Sequence, residues 1–345
     1  MSSAPAIELE AAGVGTPLLE VQDLVVRYPV RRGIVGALRR LPRRSVRAVD
    51  GISFSVRSGE MLALVGESGC GKTSTAQTIL RLVDPEAGAI RLDGAEITGL
   101  PQRRLQAIRR RVQMIYQDPY ESLDPRFRVR QAIEEPMLIH GVGGDRHGRE
   151  RRVLEALARV ELTPPEMYLE RYPHELSGGQ RQRVAIAASL VLEPALLVAD
   201  EPVSMLDVSV RAGILRLLDD LRRAGSLGIL MITHDLSTAA HFADRIAVMY
   251  LGRIVEVGPA REVVRRPQHP YTKALLSVVP KRDPRERGTP QILTGEPPDP
   301  VDVPSGCRFH PRCPVAEPRC RTIDPELRLA GSGGHRAACV LVGES

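Results

Sequence analysis

Four short apolar runs set the pattern of this chain, and each closes on glycine or a polar residue. They are Met61-Leu62-Ala63-Leu64-Val65 before Gly66, Val112 to Tyr116 before Gln117, Ala195 to Ala199 before Asp200-Glu201, and Gly228 to Thr233 before His234-Asp235. Continuous apolar runs of this length read as strands buried on both faces of a parallel sheet. Helical spacing intervenes. Ala76, Ile79, Leu80 and Val83 fall at i, i+3, i+4 and i+7, the stripe of a core-facing helix. Leu105 to Arg111 reads as a basic helix and Gln182 to Leu192 as a buried one. Residues 129–175 carry no strand signal and repeat the helical spacing at Val153, Leu154, Leu157 and Val160, so a mostly helical subdomain is expected there. Alternation marks the start of the chain instead. Leu19, Val21, Leu24 and Val26 suggest an opening strand pair, Val49, Ile52, Phe54 and Val56 a strand entering the turn Ser58-Gly59-Glu60, and Ala89 to Leu92 a strand ending at Asp93-Gly94. The pattern predicts an α/β protein with a parallel-sheet core.

The first run opens a recognisable loop. Gly66-Glu67-Ser68-Gly69-Cys70-Gly71-Lys72-Thr73 fits G-x-x-x-x-G-K-[ST] between a strand and a helix, and Ser74 follows it. Such a loop aims unpaired backbone N–H groups and the positive end of a helix dipole at an anion. Lys72 supplies a point charge for the β- and γ-phosphates, and Thr73 a hydroxyl ligand for Mg²⁺. Cys70 occupies a variable position and is small enough to fit. The loop predicts binding of a nucleoside triphosphate.

Ligands of open parallel sheets bind beyond the C-terminal ends of the strands. Gln117, Asp200-Glu201 and His234 all lie at such ends, so one site collects them with the loop. Phosphoryl transfer to water needs Mg²⁺, a clamp on the γ-phosphate and a group to orient the water. Asp200 is expected to bind Mg²⁺ as a Walker-B carboxylate, Glu201 to polarise the water, and His234 to hold the γ-phosphate and the water in line.

A second glycine pair opens the helix after residue 177. Leu176-Ser177-Gly178-Gly179-Gln180 forms a second anion-binding helix N-terminus. One γ-phosphate cannot be cradled by both loops of a single chain if they sit in different subdomains. The inference is a head-to-tail dimer, each nucleotide held between one chain's phosphate loop and its partner's Ser177-Gly178-Gly179-Gln180.

Together Tyr28, the loop GESGCGKT, Gln117, LSGGQRQR (176–183), LLVADEP (196–202), Ser204-Met205-Leu206-Asp207 and Thr233-His234-Asp235 resemble the ATPase of an ATP-binding cassette (ABC) transporter over roughly residues 18–265. The resemblance implies the P-loop ABC ATPase fold: a parallel-sheet core, an antiparallel β subdomain and a helical subdomain near 125–180. It implies that Tyr28 stacks on adenine, that Gln117 contacts Mg²⁺ and the membrane subunits, and that Asp207 communicates across the dimer. Met205 stands where the family often has alanine, with no loss of function expected.

Further stretches narrow the resemblance. Tyr28-Pro29-Val30, Arg171 to Glu175, Asp200 to Ser204, Asp207 to Arg211, and His269-Pro270-Tyr271-Thr272 with the tail beyond are similar to ATPase subunits of dipeptide and oligopeptide importers. That family implies ATP hydrolysis driving peptide uptake, with a second, non-identical ATPase subunit, two permeases and an extracytoplasmic binding protein. The solute itself is left open among peptides, nickel and glutathione. A soluble ABC protein acting on nucleic acid or ribosomes is the rival. The chain has neither the long coiled-coil insertion nor the second cassette of such proteins, so no nucleic-acid partner is expected.

Composition changes this picture little. The 345 residues are 43% hydrophobic and 26% charged, ordinary for a globular protein, and no run approaches the length of a membrane span. The N-terminus lacks a basic start and an apolar core, so the chain is expected to stay in the cytoplasm, and the importer resemblance implies its cytoplasmic membrane face, bound through the permeases. The net charge of +6 is almost all arginine, with only Lys72, Lys273 and Lys281 as lysines. Aromatic residues are 3% and Trp is absent, which weakens a base-stacking reading. Residues 1–17 read as a flexible tail. Pro29 to Arg47 carries seven arginines and is either an anion-contacting loop or a solvated excursion between strands.

Beyond Pro267 proline becomes dense, and residues 266–345 read as a separate, loop-rich module holding four of the five cysteines. Cys307, Cys313, Cys320 and Cys339 are separated by five, six and eighteen residues. Disulfides are disfavoured in a reducing compartment, and zinc sites usually use closer pairs. Zinc and four free thiols stay open as readings. The importer resemblance associates this tail with a [4Fe–4S] cluster, which is the expectation carried forward.

Overall fold

The computed structural model describes residues 16–30, 44–118, 122–278, 293, 295–331 and 333–342. Most of the expected N-terminal tail, most of the arginine insertion, and Pro119 and Tyr120 lie outside the described residues. Two sheets organise the rest. The first is antiparallel with order β2-β1-β4-β5, built from β1 (Leu19–Pro29), β2 (Ser45–Val56), β4 (Ala87–Leu92) and β5 (Ala95–Glu96). The second has order β11-β12-β10-β9-β3-β8-β7-β6. Its parallel part comprises β3 (Met61–Val65), β6 (Val112–Ile115), β7 (Leu196–Asp200), β8 (Gly228–Thr233) and β9 (Arg245–Tyr250), and the antiparallel edge comprises β10 (Arg253–Pro259), β11 (Arg328–Leu329) and β12 (Arg336–Ala337).

All four apolar runs are strands of this second sheet, and β3, β7 and β8 are buried at every position because helices cover one face and the antiparallel sheet with the helix after the glycine loop covers the other. α1 (Lys72–Ile79) follows the glycine loop, and α2 (Gln102–Arg111) leads into β6. α3 (Val129–His140) and α4 (Arg146–Arg159) fall in the region expected to be helical, and α5 (Gly178–Leu190) is the buried helix expected after it. α6 (Val208–Ala224), α7 (Leu236–Phe242), α8 (Ala260–Arg265) and α9 (Pro270–Ser277) complete the element order.

Two local expectations differ from the structure. Leu19, Val21, Leu24 and Val26 belong to one strand, not two, and all four are buried. A residue of left-handed φ, Asp23, interrupts the strand and shifts its register, so that Leu24 faces inward after Val21. The stripe of Ala76, Ile79, Leu80 and Val83 runs past its helix. α1 stops at Ile79, Arg81 adopts a left-handed φ of 54°, and Val83 packs from the connection that follows.

The tail joins the main sheet. β12 pairs with β10, and Phe309 and Tyr271 are buried in the cluster that also contains Tyr250 and Val248. The anchor is Glu256 on β10, which is fully buried. Its carboxylate accepts from the backbone N–H of Gln268 at 2.8 Å and of His269 at 2.9 Å, and pairs with His335 Nε2 at 2.7 Å. His269 in turn caps α9, its Nδ1 accepting from the Tyr271 N–H at 3.1 Å.

The glycine loop is held where the two sheets meet, and its backbone has little room. A Cβ on Gly71, whose φ is 108°, would stand 2.0 Å from the Ala48 carbonyl oxygen of β2. A Cβ on Gly66 would stand 2.2 Å from the Met249 carbonyl oxygen of β9. Gly69 also has a positive φ, 77°, but nothing lies near its missing Cβ.

Two predictions follow from this packing. Gly71→Ala meets both strain and a backbone clash and is expected to cost ~3 kcal/mol or more, whereas Gly69→Ala meets strain alone and should cost ~1 kcal/mol. Urea unfolding of the two variants measures the difference, and equal losses would show that close approach does not govern the loop. His269 gives the second. Burial pushes its pKa from 6.5 down to about 4, against the pull of Glu256. Between those values the unfolded chain takes up a proton that the folded chain refuses, so stability is complete above pH 6.5 and is lost as pH falls toward 4. His269→Asn keeps a capping acceptor and does not titrate. Its unfolding midpoint should fall less steeply than that of the wild type between pH 6.5 and 4.5, and parallel curves would rule the effect out.

Candidate functional site

A cleft of about 770 Å³ opens over the glycine loop, lined by Tyr28, Lys72, Ser74, Gln117, Glu201 and His234 among others. The topology brings them together because β3, β6, β7 and β8 are parallel neighbours whose C-terminal ends point the same way. Tyr28 arrives from β1, and its hydroxyl donates to Ser74 Oγ at 3.4 Å. Gly66, Cys70, Gly71 and Lys72 are buried, while Ser68, Gly69 and Thr73 are exposed.

Lys72 is only 5% exposed. Its ammonium donates to the carbonyl oxygens of Gly66 at 2.7 Å and Glu67 at 2.9 Å, and lies 3.8 Å from Cys70 Sγ. Among the described residues no carboxylate forms an ion pair with it. A buried cation without a counter-ion is costly unless an anion completes it. Burial pushes the Cys70 thiol pKa up, so this cysteine stays a neutral, small side chain in the loop.

Asp200 ends β7 and is 4% exposed. Burial, reinforced by the neighbouring Glu201 charge, raises its carboxyl pKa, while a hydrogen bond from Thr73 and the Lys72 charge oppose the rise. Its Oδ1 has no hydrogen-bond partner among the described residues. A buried orphan carboxylate oxygen beside a hydroxyl offers the hard oxygen donors that Mg²⁺ takes, with water and phosphate filling the other positions. The residues present therefore fit that ion.

Glu201 has a left-handed φ of 46°, a strained conformation for a residue with a side chain. Its N–H donates to the Ile232 carbonyl at 2.9 Å, and its own carbonyl accepts from Ser204 Oγ at 3.2 Å. The turn aims the carboxylate into the cleft, where Oε2 meets His234 Nδ1 at 3.1 Å and Gln117 Nε2 at 3.4 Å. His234, expected to hold the water with Glu201, and Gln117, expected at Mg²⁺, thus meet at one Glu201 oxygen.

The second glycine pair lies elsewhere. Ser177, Gly178, Gly179, Gln180 and Asp207 do not line this cleft. Ser177 caps α5, its Oγ accepting from the Gln180 N–H at 3.3 Å while Gln180 Oε1 accepts from the Ser177 N–H at 3.0 Å. Asp207 caps α6 by accepting from the Val210 N–H at 3.0 Å. The two caps are neighbours: a Cβ on Gly179 would stand 2.5 Å from Val210 Cγ1. Around them Met205 is 62% and Val208 81% exposed, an apolar fringe on an open surface.

Sequence reasoning missed contacts made by the tail. The Glu67 N–H donates to Tyr271 Oη at 3.0 Å, Arg312 forms a two-point ion pair with the Glu67 carboxylate, and Leu275 lines the cleft. The His269-Pro270-Tyr271 string was a signal for the first; nothing in the sequence marks Arg312.

The expectation of a [4Fe–4S] cluster at Cys307, Cys313, Cys320 and Cys339 is overturned. All four are free cysteines, and among the described residues no three Cys, His, Asp or Glu side chains are grouped to hold a metal ion. Burial pushes the thiols up, Cys307 to about 11 and Cys313 and Cys339 above their usual value. Cys320 is buried and accepts from the Glu317 N–H at 3.4 Å. The relatives below are named for peptide transport and ATP binding, not as iron–sulfur proteins.

A family model described as ABC transporter matches residues 49–204, and one described as the C-terminal region of oligopeptide/dipeptide transporters matches residues 255–320. The oligopeptide transport ATP-binding protein AppF of Bacillus subtilis is 45% identical over 329 residues, covering 94% of this chain and 97% of that protein. A protein of Brucella ovis named for peptide import and ATP binding is 45% identical over 325 residues, covering 94% of this chain and 98% of its own. Among solved structures, the dimeric ATP-binding cassette MJ0796 bound to ADP and Pi superposes with a TM-score of 0.61 at 27% identity, covering 70% of this chain and 99% of that one. CbiO1 of Clostridium perfringens, part of an ABC transporter complex, gives 0.60 at 27% identity over 72% of this chain and 91% of that one. The chain belongs to the ATP-binding proteins of ABC transporters that carry the oligopeptide/dipeptide transporter C-terminal region.

Proposed function

We propose that the protein is the ATPase subunit of a peptide importer, hydrolysing ATP at sites shared between two such chains at the cytoplasmic face of a membrane. The observation that carries this reading is the separation of two anion-binding helix ends. Gly66 to Ser74 form one side of a nucleotide site, with Tyr28 for the base. Ser177, Gly178, Gly179, Gln180 and Asp207 face open surface, away from that cleft. Ser177 satisfies only the N–H of Gln180, and the N–H groups of Gly178 and Gly179 have no intrahelical carbonyl to meet. They suit the γ-phosphate of a nucleotide held by a partner chain. The dimeric solved cassette with ADP and Pi supports a paired arrangement.

Within the site, Lys72 neutralises phosphate charge and the loop N–H groups orient it. Thr73, Asp200 and Gln117 would hold Mg²⁺, which would supply positive charge to offset the charge developing on the phosphates. Glu201 polarises the attacking water and accepts its proton, and His234 keeps that carboxylate and the γ-phosphate aligned. Gln117 closes the group from β6, whose following residues lead to a small groove lined by Tyr116, Leu123, Phe127 and Pro136. This groove suits a short helix from a membrane permease, which would link the site to transport. No helix among the described residues is long and apolar enough to cross a membrane, so the membrane-spanning path is assigned to partner chains. The names of the relatives favour peptides over nickel or glutathione as cargo, and the proposed assembly is completed by a second, non-identical ATPase and an extracytoplasmic binding protein.

Glu201→Gln tests the mechanism. The variant should bind ATP, hydrolyse it at least ~100-fold more slowly, and accumulate the ATP-bound dimer seen by size-exclusion chromatography. Hydrolysis near the wild-type rate would refute the role of Glu201.

A further inference from the structure

Glu67 and Lys72 are the charged side chains of the glycine loop. Glu67 lines the cleft into which a triphosphate must enter, and its negative charge opposes that entry. It is also the one loop residue gripped by the tail at both backbone and side chain. Arg312 is 8% exposed and reaches the carboxylate with both terminal nitrogens, Nη1 to Oε2 at 2.7 Å and Nη2 to Oε1 at 3.1 Å. Two parallel charge-assisted bonds of this kind fix orientation as well as charge. The Tyr271 hydroxyl accepts from the Glu67 N–H at 3.0 Å.

Both gripping residues are themselves locked. Arg312 stands over the Tyr250 ring, 6.0 Å from its centroid. Phe309, one helical turn earlier, packs edge-on against Tyr250 at 5.2 Å and against Tyr271 at 5.4 Å. Arg308 on the same turn is buried and bonds to Asp50 of β2 and to the Leu251 carbonyl, just past β9. Tyr271 is fully buried at the start of α9, whose cap His269 hangs from Glu256. These strands, β2 and β9, are the ones whose carbonyls press on Gly71 and Gly66.

The geometry points to Arg312 as a positioning residue for nucleotide binding: it neutralises Glu67 and, with Tyr271, holds the phosphate loop in its phosphate-accepting shape, making the C-terminal region a clamp on the ATP site. This rests on the reading of the loop as an ATP site. The clamp separates two effects that a merely structural contact would not. Removing Arg312 leaves a bare carboxylate facing the phosphates, and removing both partners leaves none.

The test is MgATP affinity of the full chain, by displacement of a fluorescent ATP analogue, with KM and kcat of hydrolysis in the assembled complex. Arg312→Gln should weaken binding about tenfold and raise KM, with kcat at saturating ATP changed less than threefold. The double variant Glu67→Gln/Arg312→Gln should return to within about threefold of wild type. If Arg312→Gln does not fold, Arg312→Lys is read in its place, with weaker binding that is again restored by Glu67→Gln. An affinity within threefold of wild type for the single variant, or a double variant as weak as the single, overturns the clamp. Failure of the wild type to bind MgATP would instead overturn the ATP-site reading.

Discussion

The backbone of the glycine loop is wedged between two carbonyl groups, and the rest of the molecule is arranged around that fit. Ala48 O of β2 bears on Gly71 and Met249 O of β9 on Gly66, each closer than any Cβ allows. Gly252, after β9, ties the pieces together: its N–H donates to the Cys70 carbonyl and its carbonyl accepts from the Asp50 N–H, both at 2.9 Å. The antiparallel sheet, the parallel sheet and the loop therefore meet at a few backbone atoms. A loop supported in this way holds its N–H groups in place without help from flexible side chains, which is what preorganised anion binding requires.

How much of this was legible in the sequence follows from what kind of force decides each feature. Strands buried on both faces must be apolar along their whole length, so β3, β7 and β8 announced themselves, and parallel neighbours necessarily gather their end residues. Gln117, Asp200, Glu201 and His234 were legible for that reason. The bulge at Asp23 was not, because a left-handed residue in a strand leaves only a doubled gap in the alternation. The early end of α1 was hidden by Val83, which continues the stripe from outside the helix. The cysteines misled for a different reason. Spacing constrains which thiols are near in sequence, whereas ligation depends on how side chains group in space, and no metal-holding group is found among the described residues.

The tail is the part whose role was least visible. Proline-dense sequence with little core suggests a loose appendage, yet Glu256, His269, Tyr271 and His335 form a buried polar and aromatic join with the main sheet. Buried polar groups are tolerated only when nearly all are satisfied. Glu256 accepts three hydrogen bonds, so β10, the start of α9 and the residues around β12 are held in one arrangement. Arg312 and Tyr271 inherit that rigidity and apply it to Glu67.

The two halves of the site differ in what they lack, and the difference explains why they should come together. Around the loop, Lys72 is buried with no ion-paired carboxylate among the described residues and Asp200 carries an orphan oxygen, so the first half is short of both an anion and a cation. MgATP supplies the two at once. At the N-terminus of α5 only N–H groups and the positive end of a helix remain, so the second half is short of an anion alone. A nucleotide bound by the first half would project negative charge from its γ-phosphate, and in the proposed pair the second half of a partner chain would meet it. After hydrolysis that charge is carried away with the released phosphate. On the proposed function, the attraction between the halves would be greatest before the reaction and weakest after it, which would convert one chemical step at Glu201 into opening and closing of the pair.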